Sequence, residues 1–505
     1  MTNYVPVLIC GGGPVGLATS LELAHHGVRS VIVEPRSEVS WLRPRAKTTS
    51  ARTMELFRRW GLADTIRDRA GLPVDWSDQA VFATALLGRE ITRFDKCFGL
   101  ELGGSDRAAE PGQQIPQPAV EQVLRAAVAT SEYAGLRTGR SLHSFVERTD
   151  GIDAQIIDGD GSLTRITCDF LVGADGAHST VREAIGARYD GSADERPNFN
   201  IVFRAPDLAD RVPHGPAVHY WIVRPDRPGV MGRLDLRDTW WCIAQGVDQK
   251  AGEADPRALV HALVGEAIDA EIIATDPWKA KMLLADRYCT ERVFLAGDAA
   301  HLNPPWGGHG FNTGVGDAIN LGWKLAAVVA GWAPRSLLAS YESERRPIAA
   351  RTIDEAATNM ATLPSQLADQ RLVDDQFDTI RPDIAEQIQR TKDGEFHSLG
   401  LVLDYTYDGS PVVAAGSGGR LTHRWLSPGE SLYDRLGHGF TLVGDLTDPR
   451  VTEFAAAATA ASVPLELLSH PIELSLVRPD QHVAWVAGAP GTAAQALRRA
   501  IGHTN

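Results

Sequence analysis

Three remote stretches of this chain carry residues suited to holding a sugar and its phosphates. Gly11, Gly13 and Gly16 make a GxGxxG turn. Such glycines let the backbone approach a pyrophosphate, and the following helix presents unpaired N–H groups and positive potential to it. Glu34 stands about the right distance downstream to accept hydrogen bonds from a ribose 2′-hydroxyl, which favours an unphosphorylated ribose. Asp175 lies in GADGAHSTVR (173–182), an Asp-Gly turn with Arg182 just beyond it. Asp298 lies in VFLAGDAAH (293–301), immediately after an apolar run. Open α/β sheets bind ligands at the carboxyl ends of their strands, so a carboxylate there is placed to take ribityl or sugar hydroxyls.

The elements that must position these groups are readable as well. Residues 5–10 form a continuous apolar, β-rich run, expected as a buried strand. Leu17, Leu21 and Ala24 then share one helical face, Gly27 is a suitable terminator, and residues 30–33 make a second strand. Residues 170–172 and 293–296 read as two more buried strands. The glycine-rich 307–312 leads into a helix over about 312–330, stopped by Gly331. Its N-terminus would stabilise negative charge on an electron-rich ring. Arg43, Arg45, Lys47 and Arg52 crowd one stretch and could hold phosphate or a nicotinamide cofactor. The first motif taken alone does not separate FAD from NAD.

Taken together, these motifs resemble the FAD-dependent aromatic hydroxylases, the single-component flavoprotein monooxygenases of the para-hydroxybenzoate and phenol hydroxylase type. GGGPVG (11–16) with Glu34 is similar to their first motif, and GADGAHSTVR to their Asp-Gly motif, which serves FAD and NAD(P)H. LAGDAAHLNPPWGGHGFNTGVGDAINLGWKLA (295–326) is similar to their Gly-Asp motif over a long stretch. PRAKTTSARTMELFRRWGL (44–62) and IPQPAVEQVLRAA (115–127) resemble their flavin-contacting loop and Gln-bearing helix. The resemblance implies Gly13, Pro14 and Val15 against the pyrophosphate, Glu34 on the adenosine ribose, and Arg45 and Gln117 facing the flavin or its ribityl chain. It implies Asp298 on ribityl oxygen, and backbone N–H groups at Gly310, Phe311 and Asn312 on the pyrimidine edge. Pro305 would sit beside the flavin face where oxygen reacts. Lys47 stands where the phenol hydroxylase branch has an acidic residue that helps ionise the phenol; a cation there could stabilise a phenolate but is not the expected base, which leaves the proton acceptor open. The implied reaction needs no metal. NADPH or NADH reduces FAD, a flavin C4a-hydroperoxide forms from O2, and its distal oxygen adds to a phenolic or polyketide ring. Baeyer–Villiger or epoxidising oxygenases, and flavin dehydrogenases or oxidases of the same fold, are the alternatives.

Bulk properties set the outer bounds. At 505 residues, two or three domains are expected. The formal charge of -14 argues against a nucleic-acid partner. No apolar run is long enough to span a bilayer, and the N-terminus shows no secretory signal. The cysteines Cys10, Cys97, Cys168, Cys242 and Cys289 are scattered, which fits a reducing cytoplasm better than a disulfide framework or zinc site. Oligomeric state stays open, with a homodimer the working expectation.

The expected fold is α/β. A discontinuous Rossmann-like FAD-binding domain (1–185 and 285–360) carries an inserted antiparallel-sheet substrate domain (186–284). A helical connector (361–399) leads to a thioredoxin-like C-terminal domain (400–505) without cysteine. Within the insertion, residues 198–246 alternate and carry Tyr220, Trp221, Trp240 and Trp241, with Arg233 in the strand-like GVMGRLDLR (229–237). As a group these aromatics suit a wall for a planar guest. Tyr220, Trp221, Arg233, Pro305 and Trp306 are the expected substrate contacts, and Pro305, Lys47 and Arg45 the expected catalytic group. His219 and His309 could titrate near neutrality but are expected to be structural or surface residues rather than catalytic ones.

Overall fold

The computed structural model describes residues 4–41 and 47–503. Its first sheet is built on five parallel strands, Ala134–Thr138, Ser30–Glu34, Tyr4–Cys10, Leu163–Gly173 and Val293–Leu295 in that order. An antiparallel pair, Ile152–Asp158 and Arg140–Glu147, continues it from the first half of the Leu163–Gly173 strand. Val7, Leu8, Ile9 and Ile32 are wholly buried, as expected for strands covered on both faces. The register does the functional work. Cys10 lies opposite both Val33 and Gly173, and Gly173 lies opposite Leu295. The four strand ends that precede the three motifs and Glu34 therefore open on one edge.

The chain turns sharply at that edge. Gly11 has φ +105, and a Cβ there would stand 2.2 Å from the Ala174 carbonyl oxygen. A Cβ on Gly16 would stand 2.0 Å from the Gly11 carbonyl oxygen. Only glycine lets helix Pro14–His25 start so close beneath the turn. That helix ends before Gly27 at φ +70, and the long helix His309–Val329 ends before Gly331 at φ +79.

A second, eight-stranded sheet covers the motif edge. Its order is His301–Leu302, Glu271–Ala285, Tyr189–Arg204, Thr239–Gln245, Gly229–Arg233, His219–Ile222, Ala80–Ala83, Glu90–Phe94. It is antiparallel except where His219–Ile222 runs parallel to Ala80–Ala83. The last two strands come from before residue 185, so the sheet draws on both sides of the boundary expected there. Helices Ser340–Ala361 and Phe377–Phe396 follow. The C-terminal sheet has the order Leu465–Ser469, Phe440–Gly444, Ser475–Val477, Val483–Val486. Its first pair is parallel across helix Pro449–Ala461, the others are antiparallel, and helix Ala493–Ala500 closes it, a thioredoxin-like connectivity. Its core includes Trp323 and Leu337 from the cofactor-binding part. Beside that core Glu344, Lys324, Arg478 and Asp480 form a buried ion network.

Candidate active site

A groove of about 570 Å3 runs along the carboxyl edge of the first sheet. Gly11, Gly13, Pro14, Val15, Glu34, Gln117, Asp175, Asp298, Gly310 and Phe311 line it. Two helix N-termini open into it, those of Pro14–His25 and His309–Val329, and neither N-cap residue, Gly13 or Gly308, has a side chain to satisfy the free N–H groups. In front of Gly13 an added Cβ would meet nothing within 4 Å, so the space a phosphate needs is present. Glu34, almost fully buried, accepts from the Gly12 N–H at 2.7 Å and from the Arg36 N–H and Nε at 3.0 and 2.6 Å. Those bonds fix its carboxylate at the end of the second strand. Asp175 accepts from the Val181 N–H at 3.1 Å through one oxygen, while the other is buried without a partner. Burial raises its pKa above the usual carboxylate range. Asp298 is exposed into the groove.

Two of the expected cofactor residues stand behind the groove. Gly16 packs beneath the turn. Asn312 pins the floor: its amide nitrogen donates to the Thr48 and Gly308 carbonyls at 3.0 and 2.6 Å, and its oxygen accepts from the Ser50 N–H at 2.9 Å. Arg43 and Arg45 lie outside the described residues. Arg52 turns away from the groove, pairing with Glu55 at 3.0 Å and with the Asp480 carbonyl at 2.9 Å. A carboxylate that sequence reading missed supports the Asp298 turn. Asp317, wholly buried, accepts from the Gly297 N–H at 3.0 Å, His301 Nε2 at 2.8 Å and Arg345 Nε at 2.8 Å. Despite burial, the charges of His301 and Arg345 hold its pKa below the usual range.

The groove shares Asn303, Pro305 and Gly308 with a second cavity of about 390 Å3 under the second sheet. Trp221, Trp241, Trp278 and Trp306 give this cavity apolar walls. Strand parity decides which residues face it. On His219–Ile222, His219 and Trp221 look inward, while the Tyr220 hydroxyl is turned to the Ala217 N–H at 2.9 Å and the Gly215 carbonyl at 2.6 Å. Arg233 pairs in register with Trp240, which lies in the core on the other face, and donates to the Asp235 and Arg237 carbonyls. Tyr220 and Arg233 are thus placed away from the cavity, whereas Trp221, Pro305 and Trp306 line it. Lys47, Asn200, His219, Trp241, Trp278 and Glu395 line it too. Lys47 Nζ donates to the Val218 carbonyl at 2.8 Å and lies 5.3 Å from the Trp241 ring. Burial pulls its pKa down to about 7. Burial and the neighbouring Lys47 charge push His219 well below its usual value. His309 is buried outside the cavity, and burial lowers it to about 4.

The donor set fits FAD: uncapped helix ends, open space in front of Gly13 and a buried carboxylate at the end of the second strand lie along one groove. The FAD binding domain family matches residues 4–356, and the aromatic-ring hydroxylase C-terminal family matches residues 415–504. The chain belongs to the FAD-dependent aromatic-ring hydroxylase family. Among its relatives, the tetracenomycin B2 monooxygenase-dioxygenase of Streptomyces olivaceus is 31% identical, over 95% of each chain. The rebeccamycin biosynthetic enzyme RebC, solved with reduced flavin, superposes with a TM-score of 0.89 at 33% identity over 99% of both chains. The flavin-dependent monooxygenase PieE, solved with FAD and substrate, gives 0.90 at 28% identity over 99% of both. FAD is the cofactor of this aromatic-ring hydroxylase family member. Among the described residues no cluster of His, Cys, Asp and Glu could hold a metal, and no helix is long and apolar enough to cross a membrane.

Proposed function

We propose that this chain is an NAD(P)H-consuming monooxygenase that hydroxylates a phenolic or polyketide aromatic, with O2 as co-substrate. The observation that carries this reading is the junction of the two cavities at Asn303, Pro305 and Gly308. A cofactor ring ending there would face a guest held between tryptophans. Bound FAD supplies reduction by a nicotinamide and the activation of oxygen. The chain supplies position and charge. In this reading Gly13, Pro14 and Val15 hold the pyrophosphate, Glu34 the ribose and Asp298 the ribityl chain. Gln117 faces the ribityl side, and the N–H groups at Gly310 and Phe311 stabilise negative charge at the pyrimidine edge. Asp175, with its unpartnered oxygen, faces the phosphates or a passing nicotinamide. Pro305 borders the reacting face without offering a proton, and Trp306 and Trp278 keep water from the guest.

Purified protein should be yellow, and a phenol should accelerate its NAD(P)H oxidation. Oxygen-18 from labelled O2 should appear in a ring hydroxyl. An unlabelled product would replace this reading with a dehydrogenase or oxidase, and a lactone from a ketone would replace it with a Baeyer–Villiger enzyme. A homodimer belongs to the same proposal, checked by analytical ultracentrifugation. Cytoplasmic location belongs to it too; its support is five free cysteines, four of them buried.

A further inference from the structure

One patch of the substrate cavity holds polar groups that the protein itself leaves unanswered. Lys47 precedes the short strand Thr48–Thr49, and its backbone is fixed by the Ile115 N–H at 2.7 Å. Its Nζ spends one donor on the Val218 carbonyl, leaving two for a ligand. The Trp241 Nε1–H beside it is buried and has no partner. A Cβ built on Gly232 would stand 3.1 Å from Trp241 Nε1 and 3.3 Å from Lys47 Nζ. The nearest atom to that Cβ would be the Val218 carbonyl oxygen at 2.7 Å, so glycine is what lets both nitrogens close in on that carbonyl, side by side at the cavity wall. His219 packs edge-on against Trp241, ring centres 5.5 Å apart, with Nδ1 also unpartnered. An indole N–H only donates, so what completes this patch must be an acceptor. The patch adjoins the cavity junction: Thr48 meets Gly308 and accepts from Asn312.

The charged surroundings narrow the choice. His219 faces Lys47 from its strand, and Asp276 and Glu395 lie in the same cavity wall. Glu395 is paired with Lys392 at 2.8 Å. Burial is the cause that lowers Lys47, and no carboxylate among the described residues offsets it. Near neutral pH its amine is divided between the charged and uncharged forms, so it can take up a proton.

We propose that Lys47 is the proton acceptor for a ring hydroxyl of the substrate, and that Lys47 Nζ and Trp241 Nε1 together hold the resulting phenolate oxygen; this rests on the hydroxylase reading above. The O–H bond of the substrate breaks, an N–H bond forms on Nζ, and the electron pair stays on oxygen. Nothing is oxidised or reduced in the step. The ring gains electron density while its oxygen is anchored beside the cofactor groove. A carboxylate-bearing aromatic offers the same kind of oxygen but arrives already ionised, so it has no proton to give.

The test uses the FAD-loaded enzyme titrated with phenol, and with benzoate as the second arm. Ionisation of bound phenol is read from the ultraviolet band of phenolate, and Kd is measured across pH. Transfer to an amine that titrates at about 7 fixes the pH profile. Wild-type Kd should be level above about pH 7.5 and should rise about tenfold per unit below about pH 7, with the bound phenol ionised throughout. Lys47→Arg keeps the cation but cannot accept a proton. Its affinity for phenol should keep rising about tenfold per unit up to the pKa of free phenol. Lys47→Met should bind phenol in its neutral form with no break near pH 7, and should lose about a hundredfold in kcat with a smaller change in KM. Trp241→Phe, which keeps the ring packing, should weaken phenol binding several-fold. The proposal is overturned if phenol does not bind, if phenol bound to Lys47→Met is still ionised, if wild type shows no break near pH 7, or if benzoate, which has no proton to give, follows the same pH profile as phenol. If wild type hydroxylates phenols while any of these occurs, only the Lys47 assignment falls. If no phenol stimulates NAD(P)H oxidation, the hydroxylase reading falls, and the optical titration still decides the role of Lys47.

Discussion

Replacing Asp317 by Asn changes one charge in a site with no room for error. The carboxylate is fully buried and serves three donors, Gly297 N–H, His301 Nε2 and Arg345 Nε. Arg345 is itself 1% exposed, so the substitution leaves a buried guanidinium without its counter-charge. Breaking a buried pair from one side costs about 3 to 5 kcal/mol. Arg345 keeps its bond to the Thr313 carbonyl at 3.0 Å and a long contact with the Tyr407 hydroxyl at 3.5 Å, so the lower end, about 3 kcal/mol, is expected. That is a large share of the roughly 5 to 15 kcal/mol by which domains are stable. The asparagine must also turn its NH2 toward one of the three donors. If Gly297 loses its acceptor, the turn carrying Asp298 loosens, and FAD affinity should fall about tenfold, one hydrogen bond's worth. Urea unfolding followed by tryptophan fluorescence measures the first effect, and fluorescence titration with FAD the second. Asp317→Asn combined with Arg345→Met removes the stranded charge and should recover part of the stability. A single variant within about 1 kcal/mol of wild type, or a double variant no better than the single, would refute the account.

Three further outcomes follow from the same geometry. Gly11→Ala drives a Cβ to 2.2 Å from the Ala174 carbonyl oxygen at a φ of +105, and should yield protein that purifies without FAD, judged by its absorbance spectrum. Asp298→Ala should weaken FAD retention at least about tenfold on gel filtration while leaving the fold intact by circular dichroism; full flavinylation would remove Asp298 from the ribityl contact. In acid, burial works against ionised Glu22, but Arg59 and His26 outweigh it and lower its pKa from 4.5 to about 2. Since its folded pKa is depressed, its contribution is full above about pH 4.5 and is lost as pH falls toward 2, on the order of 3 kcal/mol in all. Glu22→Gln should therefore flatten the acid limb of a stability–pH curve.

What was legible in the sequence was local chemistry. Gly11 and Gly16 are demanded by close backbone approach, Glu34 and Asp298 stand at strand ends that line the groove, and each of these signals sits within a few neighbours. The strands 5–10 and 30–33 announce themselves because burial on both faces leaves no polar alternation. The second sheet was less readable. Tyr220 and Trp221 look equivalent in composition, yet successive residues face opposite sides, so an error of one place exchanges wall for core. Arg233 was misplaced by the same parity, and counting alternate positions from Trp221 would have favoured His219. The hairpin 80–94 joins that sheet through a parallel pairing with 219–222, a contact across more than a hundred residues that no local pattern announces. Asp317 reads as one more polar residue on a helix until Arg345 and Gly297 are brought to it.

The parallel pairing of Leu163–Gly173 with Val293–Leu295 has a consequence for how the molecule is made. The two walls of the cofactor groove, at Gly11 and Phe311, are 300 positions apart in the chain. A ribosome adding about 5 to 20 residues per second needs roughly 15 to 60 s to travel between them. Through that interval the nascent first sheet has an open edge, and every strand of the substrate-facing sheet except His301–Leu302 emerges before it closes. Both walls of the groove exist only after that, so loading of FAD is a late event in the making of the molecule.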